Sequence, residues 1–467
     1  MFDMLIDGGA AGGESRIPVI SPVTEQVVAE VPDASAADVD RAVAAARRAW
    51  AGWRYSAYPQ RRDVLVAMSR VVAENAAELA ALLVMETGRP IAVAQFEVGL
   101  ALQFLDYYAA QQIGPEVLID DDARRVELRR LPLGVVAAIV PWNAPLYLAV
   151  NKIAPALMAG NTVVVKSAPS TPLTTARFGA LVADLVPAGV LNILSGGNAT
   201  GVHLVGHTDV AKIAFTGSSQ TGRQIMAAAA PTLKRLTLEL GGNDAAIVLP
   251  DADPAAIAPA LFGFAFFNSG QVCAVIKRLY VHDSLYDAVC EAMAAIAGAV
   301  TLGDGGDPAL QLGPVQNKAQ FDKVQAFLAD ARVHGRIIAG GNVPDRPGYF
   351  IEPTIVRDIT DGTMLVDEEP FGPVLPIIRY SDVDEVVARA NRSPYGLGAS
   401  VWSSDVEAAT RVAGLIESGT VWVNQHCALD PAVPFPATKQ SGIGAEGGRE
   451  GLYAYTAVQT VNISKGQ

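Results

Sequence analysis

A cysteine, Cys273, lies in the segment FFNSGQVCAV, directly after an apolar stretch with the pattern of a helix. Asn, Ser, Gly and Gln residues precede it, and they favour a turn that presents the sulfur and a backbone N–H to one space. A thiol so placed can attack a carbonyl carbon, although a free cysteine is most often a small buried core residue. Cys290 and Cys427 lack such surroundings, and we interpret both as packing residues.

Two further side chains have the types that carbonyl chemistry requires. Glu239 ends an apolar strand in LTLELGGND, and the two glycines after it leave room beside the carboxylate. A partly buried glutamate has a raised pKa and can act as a general base, but a surface charge at a strand end fits the same pattern. Asn143 lies between two prolines in VPWNAPL, where its amide is either a fixed donor to an oxyanion or a simple turn residue.

The segment FTGSSQTG has the order strand, glycine turn, helix. Gly217 and Gly222 frame a helix N-terminus there, and such a terminus can stabilise a phosphate group. The spacing is neither GxGxxG nor that of a P-loop, so this segment alone does not identify a nucleotide site.

Strand and helix patterns alternate around these segments. Ser35 can cap a helix over residues 36–50, and a long helical pattern over residues 65–88 ends at Gly88. A second α/β region follows Leu240. Between Gly134 and that point, strands are predicted at 135–140, 162–166, 191–194 and 212–216, and helices at 146–160, 172–186 and 217–230. This alternation predicts a parallel sheet covered by helices on both faces, as in dinucleotide-binding folds.

Composition limits the possible partners. The net charge of −13 argues against binding to nucleic acid or an anionic membrane. Three cysteines indicate a reducing compartment, and the five histidines show no metal-ligand spacing, so we expect a cytoplasmic protein without a metal site. The N-terminus lacks the pattern of a signal peptide. Prolines, glycines and amides interrupt the uncharged stretches 131–151 and 255–276, which favours buried elements over membrane spans.

An ordered set of segments resembles the aldehyde dehydrogenase superfamily from about residue 15 to residue 463. The segments are VPWNAP, VVVKSAPSTPLT, FTGSSQTG, LELGGN, GQVC, LGPV, YFIEPTI, EEPFGPV, PFPATKQSGIG and AEGGREGL. The resemblance implies an α/β fold with two Rossmann-like parallel-sheet domains and a small β oligomerisation flap. The implied cofactor-binding domain covers residues 1–115 and 133–240, and residues 435–450 return to it. The implied catalytic domain covers residues 241–434. Residues 116–132 and 451–467 are the implied oligomerisation strands of a homodimer or homotetramer.

The resemblance also implies catalytic roles. Cys273 matches the nucleophile, Glu239 the base that activates water, and Asn143 together with the Cys273 backbone N–H the oxyanion donors. Glu446 matches a second carboxylate that passes protons onward from Glu239. The implied reaction oxidises an aldehyde to an acid: a thiohemiacetal forms on Cys273, its hydride passes to the nicotinamide, and water activated by Glu239 releases the acid from the thioester.

The implied cofactor is NAD. Lys166 resembles the residue that touches the adenine ribose, Ser218 the pyrophosphate contact, and Glu369 and Phe371 the residues that hold the nicotinamide ribose and ring. Further cofactor-binding positions by the same resemblance are Val140, Pro141, Trp142, Pro169, Gly217, Gly222 and Leu240.

Three departures from the family pattern bear on specificity. Pro169 replaces a glutamate that binds the adenine ribose in many relatives, so we expect NAD to be preferred and NADP also accepted. Ala144 and Asn151 replace residues that are often aromatic around the substrate. Ala445 stands where an arginine commonly precedes the Glu446 equivalent, which puts the proton-passing role of Glu446 in doubt.

The predicted substrate pocket contains no Arg or Lys, which favours medium-sized apolar or aromatic aldehydes over succinic semialdehyde or glyceraldehyde 3-phosphate. Its residues are Ala144, Leu148, Asn151, Phe267, Val272, Leu429 and Phe435. Two alternatives stay open: a CoA-acylating semialdehyde dehydrogenase, against which Glu239 argues, and a non-catalytic structural relative, against which the set of Cys273, Glu239 and Asn143 argues.

Overall fold

The computed structural model describes residues 2–466. Met1 and Gln467, which end the predicted ranges 1–115 and 451–467, lie outside the described residues.

The strands are numbered in chain order. They are β1 (Met4–Ile6), β2 (Gly9–Ala11), β3 (Arg16–Ile20), β4 (Val27–Pro32), β5 (Glu116–Asp120), β6 (Arg124–Pro132), β7 (Val135–Ile139), β8 (Thr162–Lys166), β9 (Leu191–Leu194), β10 (Val210–Thr216), β11 (Arg235–Glu239), β12 (Asp244–Val248), β13 (Ile276–His282), β14 (Arg336–Ala339), β15 (Thr354–Arg357), β16 (Val374–Tyr380), β17 (Tyr395–Gly396), β18 (Gly398–Trp402), β19 (Thr420–Val423), β20 (Phe435–Pro436), β21 (Thr438–Lys439), β22 (Gly442–Ile443), β23 (Ala445–Glu446) and β24 (Thr456–Ser464).

The helices are numbered in the same way. They are α1 (Ala36–Trp53), α2 (Tyr58–Glu74), α3 (Ala76–Thr87), α4 (Ile91–Ala109), α5 (Pro145–Met158), α6 (Leu173–Val182), α7 (Asn198–Gly206), α8 (Ser219–Ala229), α9 (Pro254–Phe266), α10 (Tyr286–Ala299), α11 (Lys318–His334), α12 (Met364–Asp367), α13 (Val383–Asn391), α14 (Val406–Ala413) and α15 (Gly448–Tyr453). Short 3-10 turns cover Ala183–Leu185, Ala230–Thr232 and Phe267–Gly270.

The first large sheet has the strand order β2-β1-β9-β8-β7-β10-β11-β22. Its central strands, from β9 to β11, are parallel, and β1 and β22 pair with them antiparallel. From β7 the chain runs outward through β8 and β9 and then returns to β10 on the other side. The strand order therefore reverses between β7 and β10, and a ligand of an open α/β sheet binds at the carboxyl ends beside such a reversal.

The second large sheet has the order β14-β15-β16-β13-β12-β18-β19 and is parallel except for β14. Both sheets are covered on both faces, which explains why consecutive residues of their central strands are apolar. In β8, Val163 and Val165 pack in one core and Val164 in another, and in β12 the same alternation separates Ile247 from Val248. The predicted parallel sheet with helices on both faces is therefore confirmed.

A third, antiparallel sheet has the order β24-β6-β5 and projects two long strands, β6 and β24, in register over nine residue pairs. Val117, Leu118, Val458 and Ile463 leave apolar side chains exposed on it. Among residues 2–466, no helix has the length and apolarity needed to cross a membrane. The uncharged stretches 131–151 and 255–276 instead form β7, α5, α9 and the turn before β13.

Local signals predicted most elements within a few residues, with one clear error. Ser35 caps α1 through a capping box with Asp38, and Gly88 ends α3 at a φ of +69°. The single long helix predicted over residues 65–88 is wrong, because the chain breaks at Asn75 into α2 and α3. Asn75 leaves the helical region with φ −111° and ψ 17°, and both its backbone N–H and its side-chain amide donate to the Val71 carbonyl.

Candidate active site

The carboxyl ends of β7, β8, β10 and β11 bring four predicted segments to one edge of the first sheet. Val140, Pro141 and Trp142 follow β7, and the Val140 N–H donates to the Lys166 carbonyl at the end of β8. Gly217 follows β10, and its N–H donates to the Glu239 carbonyl at the end of β11 over 3.0 Å. This edge contains the reversal of strand order, where the topology predicts a bound cofactor.

Cys273 lies on a turn between α9 and β13 whose backbone is unusual. Asn268, Ser269 and Gly270 all have left-handed φ values, +52°, +58° and +73°. A Cβ on Gly270 would clash with the Gly372 carbonyl oxygen, so this turn packs directly against the backbone that follows Phe371. The turn is thus held by its contacts, as residues in this region of φ/ψ must be.

Asn143 is buried beside this turn, and hydrogen bonds hold both its side chain and its backbone carbonyl. Its side-chain amide donates to the Gln271 carbonyl over 3.1 Å. Its own carbonyl accepts from the Arg89 guanidinium and from the Asn268 amide. The Asn143 amide is therefore fixed beside the cysteine turn, as an oxyanion donor must be.

Glu239 is buried at the end of β11, with its carboxylate against the Cys273 thiol. Within residues 2–466 neither carboxylate oxygen has a conventional hydrogen-bond donor. Burial, followed by the nearby charge of Glu446, raises the pKa of Glu239 to about 8. Burial and the neighbouring Glu239 also raise the pKa of the Cys273 thiol well above its usual range. A carboxyl group with such a pKa is a base that works near neutral to mildly alkaline pH.

Glu446 reaches the same cavity from β23, and its charge is paired. Its carboxylate binds the fully buried Lys152 ammonium over 2.7 Å and accepts from the Asn151 amide over 2.6 Å. Lys152 in turn donates to the Thr216 hydroxyl over 2.6 Å. The expectation that Asn151 lines the main substrate pocket is wrong: it lines a small side cavity and holds Glu446.

A cavity of about 280 Å³ opens onto Cys273, Glu239 and Asn143. The other predicted pocket residues all lie in its wall: Ala144, Leu148, Phe267, Val272, Leu429 and Phe435. Most of the wall is apolar or aromatic, so it suits an apolar group bound to a carbonyl.

Residues of α4 and its neighbours complete the wall, and sequence reasoning missed them. Arg89 is a charged member, but it pairs with Glu97 while both side chains are buried. Phe96 lies at the exposed end of the cavity, where its ring meets the Phe267 ring edge-on at 5.5 Å. A helix face with Val93, Phe96, Glu97 and Leu100 was the available signal, but only packing shows which space that face meets.

Tyr147 and Cys427 were also missed. Tyr147 lies between the main and the side cavity, and burial together with the charge of Glu446 raises its pKa well above the usual range, so its phenol stays protonated. Cys427 lies in the wall of the main cavity, and the interpretation of it as an ordinary packing residue is incomplete. Burial raises its pKa to about 12. Cys290, by contrast, is fully buried in the core of the second sheet, as expected.

The edge of the first sheet fits a dinucleotide. Ser218 is the N-cap of α8, whose N-terminus can stabilise a pyrophosphate. A Cβ on Gly222 would lie 2.7 Å from the Leu240 side chain, so glycine is needed for α8 to approach β11. Lys166 is buried, which lowers its pKa to about 8, while Pro169 is exposed three residues beyond the end of β8.

Glu369 and Phe371 face this edge from the second sheet. The Glu369 carboxylate accepts from the Gly242 N–H over 3.1 Å, and a Cβ on Gly241 would lie 2.5 Å from its other oxygen. The Phe371 ring meets the Trp142 ring edge-on at 5.4 Å. These aromatic and carboxylate groups suit a ring and a ribose. No group of metal-ligating side chains occurs within the described part of the chain.

Comparisons with known proteins agree with this geometry. The model of the aldehyde dehydrogenase family matches residues 10–461. The phenylacetaldehyde dehydrogenase of Pseudomonas fluorescens is 40% identical over 480 aligned positions, covering 99% of this chain and 95% of that protein.

Two solved structures share the fold. The NAD+ complex of an aldehyde dehydrogenase from Bacillus cereus superposes with a TM-score of 0.97 at 34% identity, covering 99% of this chain and 96% of the other. A mutant of aldehyde dehydrogenase C from Pseudomonas syringae, with NAD+ and octanal, superposes with a TM-score of 0.94 at 37% identity, covering 98% and 96%. This chain therefore belongs to the aldehyde dehydrogenase family, and it is an NAD(P)-dependent oxidoreductase that acts on aldehydes.

Proposed function

We propose that the protein oxidises a medium-sized apolar or aromatic aldehyde to its carboxylic acid through a thioester on Cys273. The observation that carries this proposal is the meeting of a thiol, a buried carboxylate and a fixed amide in one apolar-walled cavity. Addition of the Cys273 sulfur to the aldehyde carbon gives a thiohemiacetal oxyanion, toward which the Asn143 amide and the Cys273 N–H donate. Ser218, Lys166, Glu369 and Phe371 would hold NAD at the edge of the first sheet, where it would supply the hydride acceptor that converts the thiohemiacetal to the thioester.

Glu239 serves the second half of the reaction. As the base nearest the sulfur, it takes a proton from the water that attacks the thioester carbon, and the acid leaves while Cys273 returns to the thiolate form that begins the next turnover. Within residues 2–466 no N–H or O–H group donates to the Glu239 carboxylate, which contacts the Cys273 thiol that forms the thioester. Glu446 receives the proton afterwards, with Lys152 balancing its charge. A CoA-acylating enzyme would not need this carboxylate, so acid should form from the aldehyde and NAD at the same rate with and without CoA.

The cavity wall supports the substrate class. Phe267 and Phe435 supply aromatic surface, Ala144 leaves space, and the Arg89 charge is neutralised by Glu97 within the wall. A phosphate or carboxylate on the substrate would find no free cation there and would lose its hydration without compensation. Two of the similar proteins act on or bind aldehydes of this class, the phenylacetaldehyde dehydrogenase of Pseudomonas fluorescens and the octanal complex of aldehyde dehydrogenase C.

A panel of aldehydes tests this class. We expect phenylacetaldehyde and octanal to give higher kcat/KM than succinic semialdehyde and glyceraldehyde 3-phosphate. The variant Ala144→Phe should lower kcat/KM for phenylacetaldehyde and leave acetaldehyde nearly unchanged, because only the larger substrate needs the space at Ala144. A charged aldehyde as the best substrate would refute the proposed class.

The third sheet supports a homodimer or homotetramer. β24 and β5 are its edge strands, and edge strands with exposed apolar side chains tend to be covered by a partner. Light scattering of the purified protein would measure the assembly. Val458→Lys should weaken that assembly, and a monomeric wild-type protein would contradict it.

A further inference from the structure

Lys277 is a buried cation at the start of β13, four residues after Cys273, and its side chain is 2% exposed. Its ammonium donates to the Cys273 carbonyl and lies 3.2 Å from a carboxylate oxygen of Glu369. The same Glu369 oxygen accepts from the Gly242 N–H. One side chain therefore touches both the nucleophile's backbone and the carboxylate that faces the cofactor edge.

The charges around this contact come from several elements. Glu239 on β11 contacts the Cys273 thiol, and Glu369 before β16 lies against the Lys277 ammonium. Burial lowers the pKa of His426, so this histidine is neutral, and its Nε2 lies 3.6 Å from an Asp244 carboxylate oxygen. The titratable and charged groups that face Cys273 or Lys277 are Tyr147, Glu239, Asp244, Glu369, His426 and Cys427.

We infer that Lys277 is a positioning residue, which ties the Cys273 turn to Glu369 and supplies the positive charge that favours the thiolate. This inference rests on the proposed roles of Cys273 and Glu369. Among the nearby charged groups, Lys277 is the one that lowers the pKa of the Cys273 thiol, while burial and Glu239 raise it. Without Lys277, the Glu369 carboxylate would place an unbalanced negative charge near the Cys273 turn.

A charge role and a packing role of Lys277 predict different rates of Cys273 alkylation among variants of the cofactor-free protein. Lys277→Met keeps the length of the side chain and removes the charge, so Cys273 should react with iodoacetamide about tenfold more slowly at pH 8, since only the thiolate reacts. Glu369→Gln removes a negative charge and should speed the same reaction. The double variant should return toward the wild-type rate, whereas a packing role would slow all three variants.

NAD binding supplies a second measurement, by titration of protein fluorescence without substrate. Glu369→Gln and Lys277→Met should each weaken NAD binding by about tenfold, the loss of one charge-assisted contact. Lys277→Met should add less than about twofold in the Glu369→Gln background, because Lys277 acts through Glu369. Effects that multiply in the double variant would overturn the inference.

Matched controls keep the two proposals separable. Lys318→Met removes a surface lysine paired with Asp322 and should change neither measurement. If Lys277→Met melts at too low a temperature, Lys277→Gln keeps a donor for the Cys273 carbonyl without the charge and should show the same slowed alkylation. Wild-type alkylation rates in both uncharged variants would refute the role of Lys277 even if the thioester mechanism holds. Full turnover in Cys273→Ala would instead refute the mechanism and leave the NAD measurements interpretable.

Discussion

The pKa of Glu239 makes a sharp prediction about the hydrolytic half of the reaction. Burial and the charge of Glu446 raise this pKa to about 8. Because the base must be ionised, about one tenth of the protein is competent at pH 7 and about nine tenths at pH 9. The rate constant of thioester hydrolysis should therefore rise about tenfold over this range and then level off.

Rapid mixing of the protein with NAD and aldehyde separates acylation of Cys273 from hydrolysis of the thioester. Acylation appears as a burst of NADH, and hydrolysis sets the steady rate after it. Glu239→Gln should keep the burst, lose the pH dependence and lower the steady rate by on the order of 10²–10⁴. Glu446→Gln removes the charge that raises the Glu239 pKa, so its midpoint should move to lower pH. A steady rate that does not change between pH 7 and 9 after a clear burst would refute the assignment of Glu239.

Three further predictions concern the nucleophile, the oxyanion and the cofactor. Cys273→Ala should abolish NADH formation while NAD binding and the melting temperature stay near wild type; retained turnover would exclude this cysteine as the nucleophile. Asn143→Ala should lower kcat by on the order of 10²–10³, the usual loss of one oxyanion donor, and a smaller effect on kcat than on KM would contradict that role. Pro169 offers neither an acceptor for a ribose hydroxyl nor a charge that would repel a phosphate. The kcat/KM should therefore favour NAD over NADP only modestly, and Pro169→Glu should widen this preference. A wild-type preference for NAD beyond about a thousandfold, or a clear preference for NADP, would show that another group recognises the ribose.

Short-range signals in the sequence predicted the parts of the fold that are locally determined. The apolar run TVVVK is β8, and the serine and glycine around the first helices cap α1 and α3. The break at Asn75 was not predicted, because the pattern of apolar residues continues through it. The helix ends where Asn75 takes a φ of −111° and a ψ of 17°, and the periodicity of apolar residues carries no information about such a local change of backbone conformation.

The residues of the candidate site also divide into those that local sequence motifs predicted and those that they did not. Residues in or beside a strand end, such as Glu239 and Asn143, stand where their motifs predicted. The α4 side of the cavity was not predicted, because Phe96 and Leu100 reach it only through the packing of α4 against α5 and the contact of Phe96 with the distant Phe267. Asn151 was misplaced because its neighbours in the sequence line the main cavity, while its own side chain points to Glu446.

The left-handed run before Cys273 has a consequence for engineering a more heat-stable enzyme. Asn268 and Ser269 each hold a backbone conformation that costs about 1–2 kcal/mol for a residue with a side chain. Their own hydrogen bonds, from Asn268 to the Asn143 carbonyl and from Ser269 to the Gly313 carbonyl, oppose relaxation. Glycine at either position would relieve the strain and would also remove a tether of the nucleophile. A selection for thermal resistance alone would therefore favour substitutions here that trade catalytic rate for stability.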